Sequence, residues 1–447
     1  MNKTFIMGTL LLTTAAFLGE CLEFLINMLL ARELGETGLG MYMSILPTIV
    51  FLIVIASMEL PVSVSKAVAE RETKYHLSLL SHTLRFTVAF TLACLAAAFL
   101  VFPLIPVFAS YHTSLPYLLL ILIPVISLSS VARGYFMGVQ RMGKIALANF
   151  LRRAIQLVLL IAVFRWFHFE EELAILISLA TLIATEVVVF VYLILCYQKE
   201  IRQMKKETTA SPLPKRSVLQ TLLNVSLPTT GLRIFHAASF AAKPFLIKVA
   251  LMNAGVMEQE ATIQYGKLAG VAFTIGFFPA FIAHSLLIIL IPTVAESYAK
   301  KDILSLHSLL QKILFFTLVY AAPAAAIFYF FSGELTSLFF EDSPAVVYLQ
   351  LLVPYFFFHF FAIPMQAFLI GLGLVRDAFL HSVWSTTLSF VLMYMLGSMP
   401  VFQMDGIIIG MNTGVVVLTL LHYTAIRRQM EQPIRFRVYE MYEKKLH

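Results

Sequence analysis

The chain has 447 residues, 60% of them hydrophobic and 13% charged, against about 45–50% and about 25% in soluble domains. Twelve spans of roughly 21 residues each would use about 250 positions, so the composition fits an integral membrane protein and excludes a soluble enzyme, a disordered chain and a single-anchor receptor with a large head. The net charge of +7 comes from residues flanking apolar runs and is no sign of nucleic acid. In chain order, the first apolar run follows Lys3 and continues to Ala31. Within it, Leu18-Gly19-Glu20-Cys21 places a glutamate where a cleavable signal needs small residues, so the run reads as a first transmembrane helix. Further spans are expected near 41–65, 84–108, 115–139, 145–166, 173–197, 222–250, 262–292, 313–331, 345–371, 378–399 and 406–426. None alternates strictly, which argues against a transmembrane barrel.

Several of these runs hold an internal proline: Pro47, Pro124, Pro244, Pro279, Pro354 and Pro364. Such breaks are tolerated where other protein or water satisfies the freed carbonyls, which favours a transporter over an anchor. Cys21, Cys94 and Cys196 lie in apolar stretches without metal-ligand or disulfide spacing. No GxxxxGK[ST], GxGxxG or HExxH occurs, so no nucleotide, dinucleotide or zinc chemistry is supported and no cofactor is expected.

Short cytoplasmic loops carry excess Lys and Arg. One side holds 25 of them, from Lys3 through Lys206 to the tail that ends with Lys445; the other holds two, Arg32 and Arg165. Both termini are therefore expected in the cytoplasm. The opposite loops are acidic, with Glu33, Glu36, Glu170, Glu171, Glu172, Glu258, Glu260, Glu334, Glu341 and Asp342. The one polar linker, around 199–220, divides six helices from six. It suggests an N-lobe over 1–198, a C-lobe over 221–427 and a basic tail over 428–447. LLTTAAFLGE from Leu11 echoes SLPTTGLRIF from Ser226, LPVSVSKAVAE from Leu60 echoes IPTVAESYAKK from Ile291, and GYFMGVQRMG from Gly134 echoes FLIGLGLVRD from Phe368. An even number of helices per half makes this a parallel repeat.

Charged groups inside spans are expensive and each is a functional candidate. Thr13, Glu20, Glu23 and Asn27 form a narrow polar stripe on the first helix, and Thr229, Arg233, His236 and Lys243 form another on the seventh. The stripes are expected to face a shared hydrated cavity, with Glu20 and Glu23 either binding substrate or pairing with Arg233 and Lys243. Glu59 and Glu186 are candidates for ion coupling, Glu186 with no identifiable partner. His284, His359, His381 and His422 stand singly in the sequence and read mainly as packing residues. Arg133, Lys248 and Lys267 read as side chains that reach the membrane surface.

The run from Leu29 to Glu70, LLARELGETGLGMYMSILPTIVFLIVIASMELPVSVSKAVAE, resembles the start of the polysaccharide-export branch of the MOP flippase superfamily, the group that includes stage V sporulation protein B. The runs 261–300 and 133–142 are similar to the eighth and fourth helices of that group. The resemblance implies an all-α membrane fold of twelve helices in two six-helix lobes, MATE-like, working by alternating access on a lipid-linked saccharide in spore or envelope assembly. Peptidoglycan-precursor relatives carry basic residues on the first helix, where this chain has Glu20, Glu23 and Asn27; here the positive charge comes from Arg233 and Lys243. Three functions remain open: this flippase, with H+ or Na+ as a coupling ion; a cation-coupled multidrug antiporter; and a non-transporting scaffold for envelope synthesis. An enzyme is not supported, for want of a convergent nucleophile and base.

Overall fold

In lipid every backbone N–H and C=O must be satisfied within its own segment, and long apolar runs without alternation can do this only as helices. The computed structural model describes the backbone of 3–104, 106–207, 211–340 and 345–446, and the side chains of those residues apart from 3–13, 15, 104, 106, 107, 207, 225, 228, 229, 232, 288 and 432–446. Glu341 and Asp342, and the side chains of Thr13 and Thr229, fall outside the described residues. Among those described there is no strand. Among the described residues, eleven helices are long and apolar enough to cross a membrane. The first of them, Ala16–Ala69, has 54 residues and turns at Gly35, which has φ 67°, a value that glycine adopts without steric cost. At 1.5 Å per residue that is about 80 Å of helix, enough for two crossings, so the expected twelve spans are accommodated.

The helices overrun the expected spans at their basic ends. Helix α3 is Thr73–Val101, α6 is Glu171–Glu207, α7 is Lys215–Asn253 and α11 is Ile303–Phe330. Apolarity stops where lipid stops, whereas the hydrogen-bond ladder has no reason to stop there. The polar linker shrinks accordingly and is tied down. The Ser211 N–H donates to the Lys74 carbonyl, the Leu213 N–H donates to Ser78 Oγ at 2.9 Å, and His82 Nε2 lies 3.2 Å from the Leu213 carbonyl.

By contacts the chain divides into two units, one of residues 21–244 and one of 1–20 with 245–447. The lobe boundary expected in the linker is thus displaced: the chain changes unit after Glu20, inside α1 (Lys3–Ser57), and after Pro244, inside α7. The reason is packing. Val218 and Leu222, at the start of α7, are buried in the core of the 21–244 unit with Leu79, Tyr135 and Leu193.

In that unit α1 ends at Ser57 and α2 (Leu60–Ala69) begins after two residues in the left-handed region, Met58 at φ 45° and Glu59 at φ 48°. The Ala56 carbonyl beside this break is capped by Ser127 Oγ of α4 (Leu115–Gly138) at 2.8 Å. Helix α2 lies close on α4 at Gly134, where an added Cβ would stand 2.7 Å from Val64 Cβ and 3.0 Å from the Pro61 carbonyl. Helices α5 (Met142–Trp166) and α6 complete the unit.

The 245–447 unit enters through α8 (Glu258–Gly266), a π-helical stretch at Lys267–Ala272, α9 (Phe273–Phe277) and α10 (Ala280–Ala299). It continues through α11, α12 (Ser332–Ser337), α13 (Ala345–Leu351), α14 (Val353–Gly371), α15 (Val375–Gly397) and α16 (Gln403–Leu446). The contact of α10 with α14 repeats that of α2 with α4: a Cβ on Gly371 would stand 2.7 Å from Val294 Cβ and 2.9 Å from the Ile291 carbonyl. Lys267, expected at the membrane surface, is buried, 6% exposed.

Candidate functional site

Within the 21–244 unit, intramembrane charges form three separate pairs. Arg152 and Arg153 are consecutive on α5, so their side chains leave the helix about 100° apart and meet different neighbours. Arg152 Nη1 donates to Glu186 Oε1 of α6 at 3.1 Å. Arg153 Nε lies 3.2 Å from Glu23 Oε2 of α1. A third pair closes at the break before α2, where Arg233 Nη1 of α7 is 2.7 Å from Glu59 Oε1. Glu59 and Glu186 are each 5% exposed. An ionised carboxylate is stable at that depth only with a close cation, which each has.

The expected partners are therefore exchanged. Glu23 pairs with Arg153 and not with Arg233 or Lys243, and Arg233 pairs with Glu59. Glu186, for which the sequence identifies no partner, has Arg152. Arg133, expected to reach the surface, is half-buried, and its Nη1 donates to Oδ1 of the exposed Asn149 of α5 at 3.0 Å. Lys243 is half-buried on α7. Among the described residues neither Arg133 nor Lys243 has a carboxylate within ion-pair distance. His236 is exposed one turn after Arg233, its ring 5.6 Å from that of Phe235. Asn27 is half-buried in this unit, while Glu20, also half-buried, belongs to the other.

Arg152 and Arg153 were hidden in the sequence by being counted with loop charges, although the expected span 145–166 contains them. This unit thus carries five intramembrane cations (Arg133, Arg152, Arg153, Arg233, Lys243) and three carboxylates that arginines hold (Glu23, Glu59, Glu186). After three pairs form, two cations remain. Guanidiniums offer five donors in a planar fork, so a paired arginine can still meet an oxyanion while holding its carboxylate. The arrangement can receive an anion.

Residues 5–257 match the family described as polysaccharide biosynthesis protein. The chain belongs to this family. Residues 266–395 match a second family, MatE, and these matches with the sporulation relatives below place the chain in the polysaccharide-export branch of the MOP superfamily. It is 52% identical over 431 residues to sporulation protein YkvU of Bacillus subtilis (strain 168), with 96% of each chain covered. Stage V sporulation protein B of the same organism is 28% identical over 450 residues, covering 98% of this chain and 87% of that one. Among solved structures, an inward-facing multidrug resistance MATE family transporter of the MOP superfamily superposes with TM-score 0.72 at 14% identity, over 92% of this chain and 96% of that one. A MOP superfamily transporter from Pyrococcus furiosus, described as having a binding pocket of reverse polarity that suggests a different function, gives TM-score 0.65 at 15% identity, over 95% of each. The fold is that of MATE-type transporters.

Proposed function

We propose that this protein is a flippase that moves a lipid-linked saccharide with a diphosphate head across the cytoplasmic membrane, in spore or cell-envelope assembly, by alternating access. The observation that carries the reading is the charge balance of the 21–244 unit, in which three carboxylates are held by Arg152, Arg153 and Arg233 while Arg133 and Lys243 have no carboxylate partner among the described residues. A doubly anionic diphosphate diester complements the two cations left over, and the guanidiniums add planar donor pairs for its oxygens. The relatives named for sporulation support the setting. Both termini lie in the cytoplasm on this reading, from the loop charges, and the lipid tail stays in the bilayer while the head crosses. A proton or sodium ion is the coupling ion.

A multidrug antiporter is the second reading, favoured by the MatE match over 266–395. A cationic drug would face repulsion from unpaired Arg133 and Lys243 in a poorly screened site, so the anionic substrate is preferred. Mass spectrometry of lipid that co-purifies with the full chain tests this. A polyprenyl-diphosphate saccharide is expected with the wild type and is expected to be lost from a normally expressed Arg133→Gln/Lys243→Gln variant. Equal amounts in both would overturn the charge-guided reading.

A further inference from the structure

The 245–447 unit sets side by side two histidines that are 41 positions apart in the chain. Nδ1 of His381, on α15, lies 3.0 Å from Nδ1 of His422, on α16. Two ring nitrogens at that distance form a hydrogen bond only when one carries the hydrogen and the other is bare. His422 is 1% exposed. His381 is half-exposed and lines a cavity of about 410 Å³ with Asp377, Thr424, Arg428 and Gln429. It follows Arg376 by five residues and His422 precedes Arg427 by five. Each ring therefore lies about 7.5 Å along its own helix from an arginine.

We propose that His381 and His422 form a binding site for a single proton, loaded through this cavity from the side that the loop charges assign to the cytoplasm. The inference is independent of which substrate the 21–244 unit carries. With no added proton, one imidazole donates to the other. One added proton leaves that contact in place and makes it an imidazolium donating to a bare nitrogen, a charge-assisted and stronger bond. A second would set two N–H donors against each other 3.0 Å apart and place two like charges in a poorly screened site. The capacity of the pair is therefore one.

The proton resides on His381, whose other ring nitrogen is not engaged by His422 and whose neighbour Asp377, one turn back on α15, carries the opposite charge. Arg428, across the same cavity, opposes it. Neither Asp377 nor Arg428 has an ion-pair partner among the described residues. On α14, which packs against both helices, the titratable groups are Tyr355 and His359, whose rings lie on each other at 5.8 Å and against Phe277 at 6.0 and 5.1 Å. Helix α11, which touches α16, carries His307 and Lys312.

The test is a ring-nitrogen NMR titration of the full chain, labelled with 15N-histidine and held in lipid nanodiscs, between about pH 8 and pH 5, the range in which histidine changes charge. The two resonances, assigned with His381→Asn and His422→Asn, are expected to move together at one midpoint and to report one added proton per pair. Asp377→Asn is expected to lower that midpoint by roughly one pH unit. Two separate one-proton steps, or no movement of either ring, would overturn the site. Either His→Asn variant that folds assigns the pair, because the through-bond contact links the two rings, so one misfolded variant does not rescue the site. An unchanged midpoint in Asp377→Asn would overturn loading through the cavity.

Discussion

At the scale of single residues, the informative contrast is between two arginines that are neighbours in sequence. Arg152 holds Glu186, whose side chain is 6% exposed, whereas Arg153 holds Glu23, whose side chain is 44% exposed. Removing Arg152 leaves a carboxylate stranded in a poorly screened place; removing Arg153 leaves one that water can reach. Double-mutant cycles on thermal unfolding in detergent are expected to give a coupling of about 1–3 kcal/mol for Arg152→Gln with Glu186→Gln and under about 1 kcal/mol for Arg153→Gln with Glu23→Gln. Additive effects for the first pair would show that the buried contact contributes nothing. The sequence shows that charges lie in the spans, because hydropathy exposes them. It does not show who holds whom, because partners as distant as Arg233 and Glu59 are chosen by packing across helices. His381 and His422 read as isolated for the same reason, and nothing in their spacing announces the contact.

At the scale of elements, hydropathy locates the helices but not their ends. Helix α3 begins at Thr73, well before the apolar run near 84, because amphipathic turns outside the bilayer keep the same ladder. The repeat is legible as motif echoes, and its physical content is a close helix approach at Gly134 and again at Gly371. The atoms that would meet a new Cβ are Val64 Cβ and Val294 Cβ, with the Pro61 and Ile291 carbonyls beside them. No change of rotamer moves these. Gly134→Ala and Gly371→Ala are each expected to lower stability by about 1–3 kcal/mol, as overpacking does, measured as a fall in the detergent melting temperature. An unchanged melting temperature for both would mean that these helices can part without cost.

At the scale of the whole molecule, composition settles the class and the loop charges give an orientation, while membership of the two units is not legible. The changes of unit after Glu20 and Pro244 fall inside continuous helices, where no composition shift marks them. Orientation has a direct check on one helix, since α6 runs from Glu171 to Glu207. In a chain freed of its three native cysteines, a cysteine at Glu171 is expected to react with an impermeant thiol reagent in intact cells and one at Lys206 is not. Labelling only at Lys206 would invert the topology. The central claim, that the cationic interior of the 21–244 unit carries an anionic lipid-linked head, is tested most directly by translocation in vesicles containing the purified full chain. A fluorescent polyprenyl-diphosphate saccharide placed in one leaflet is expected to cross with the wild type and to stay behind with an equally abundant Arg133→Gln/Lys243→Gln variant. Equal crossing by both proteins, or transport of a cationic dye in place of the lipid, would contradict the account.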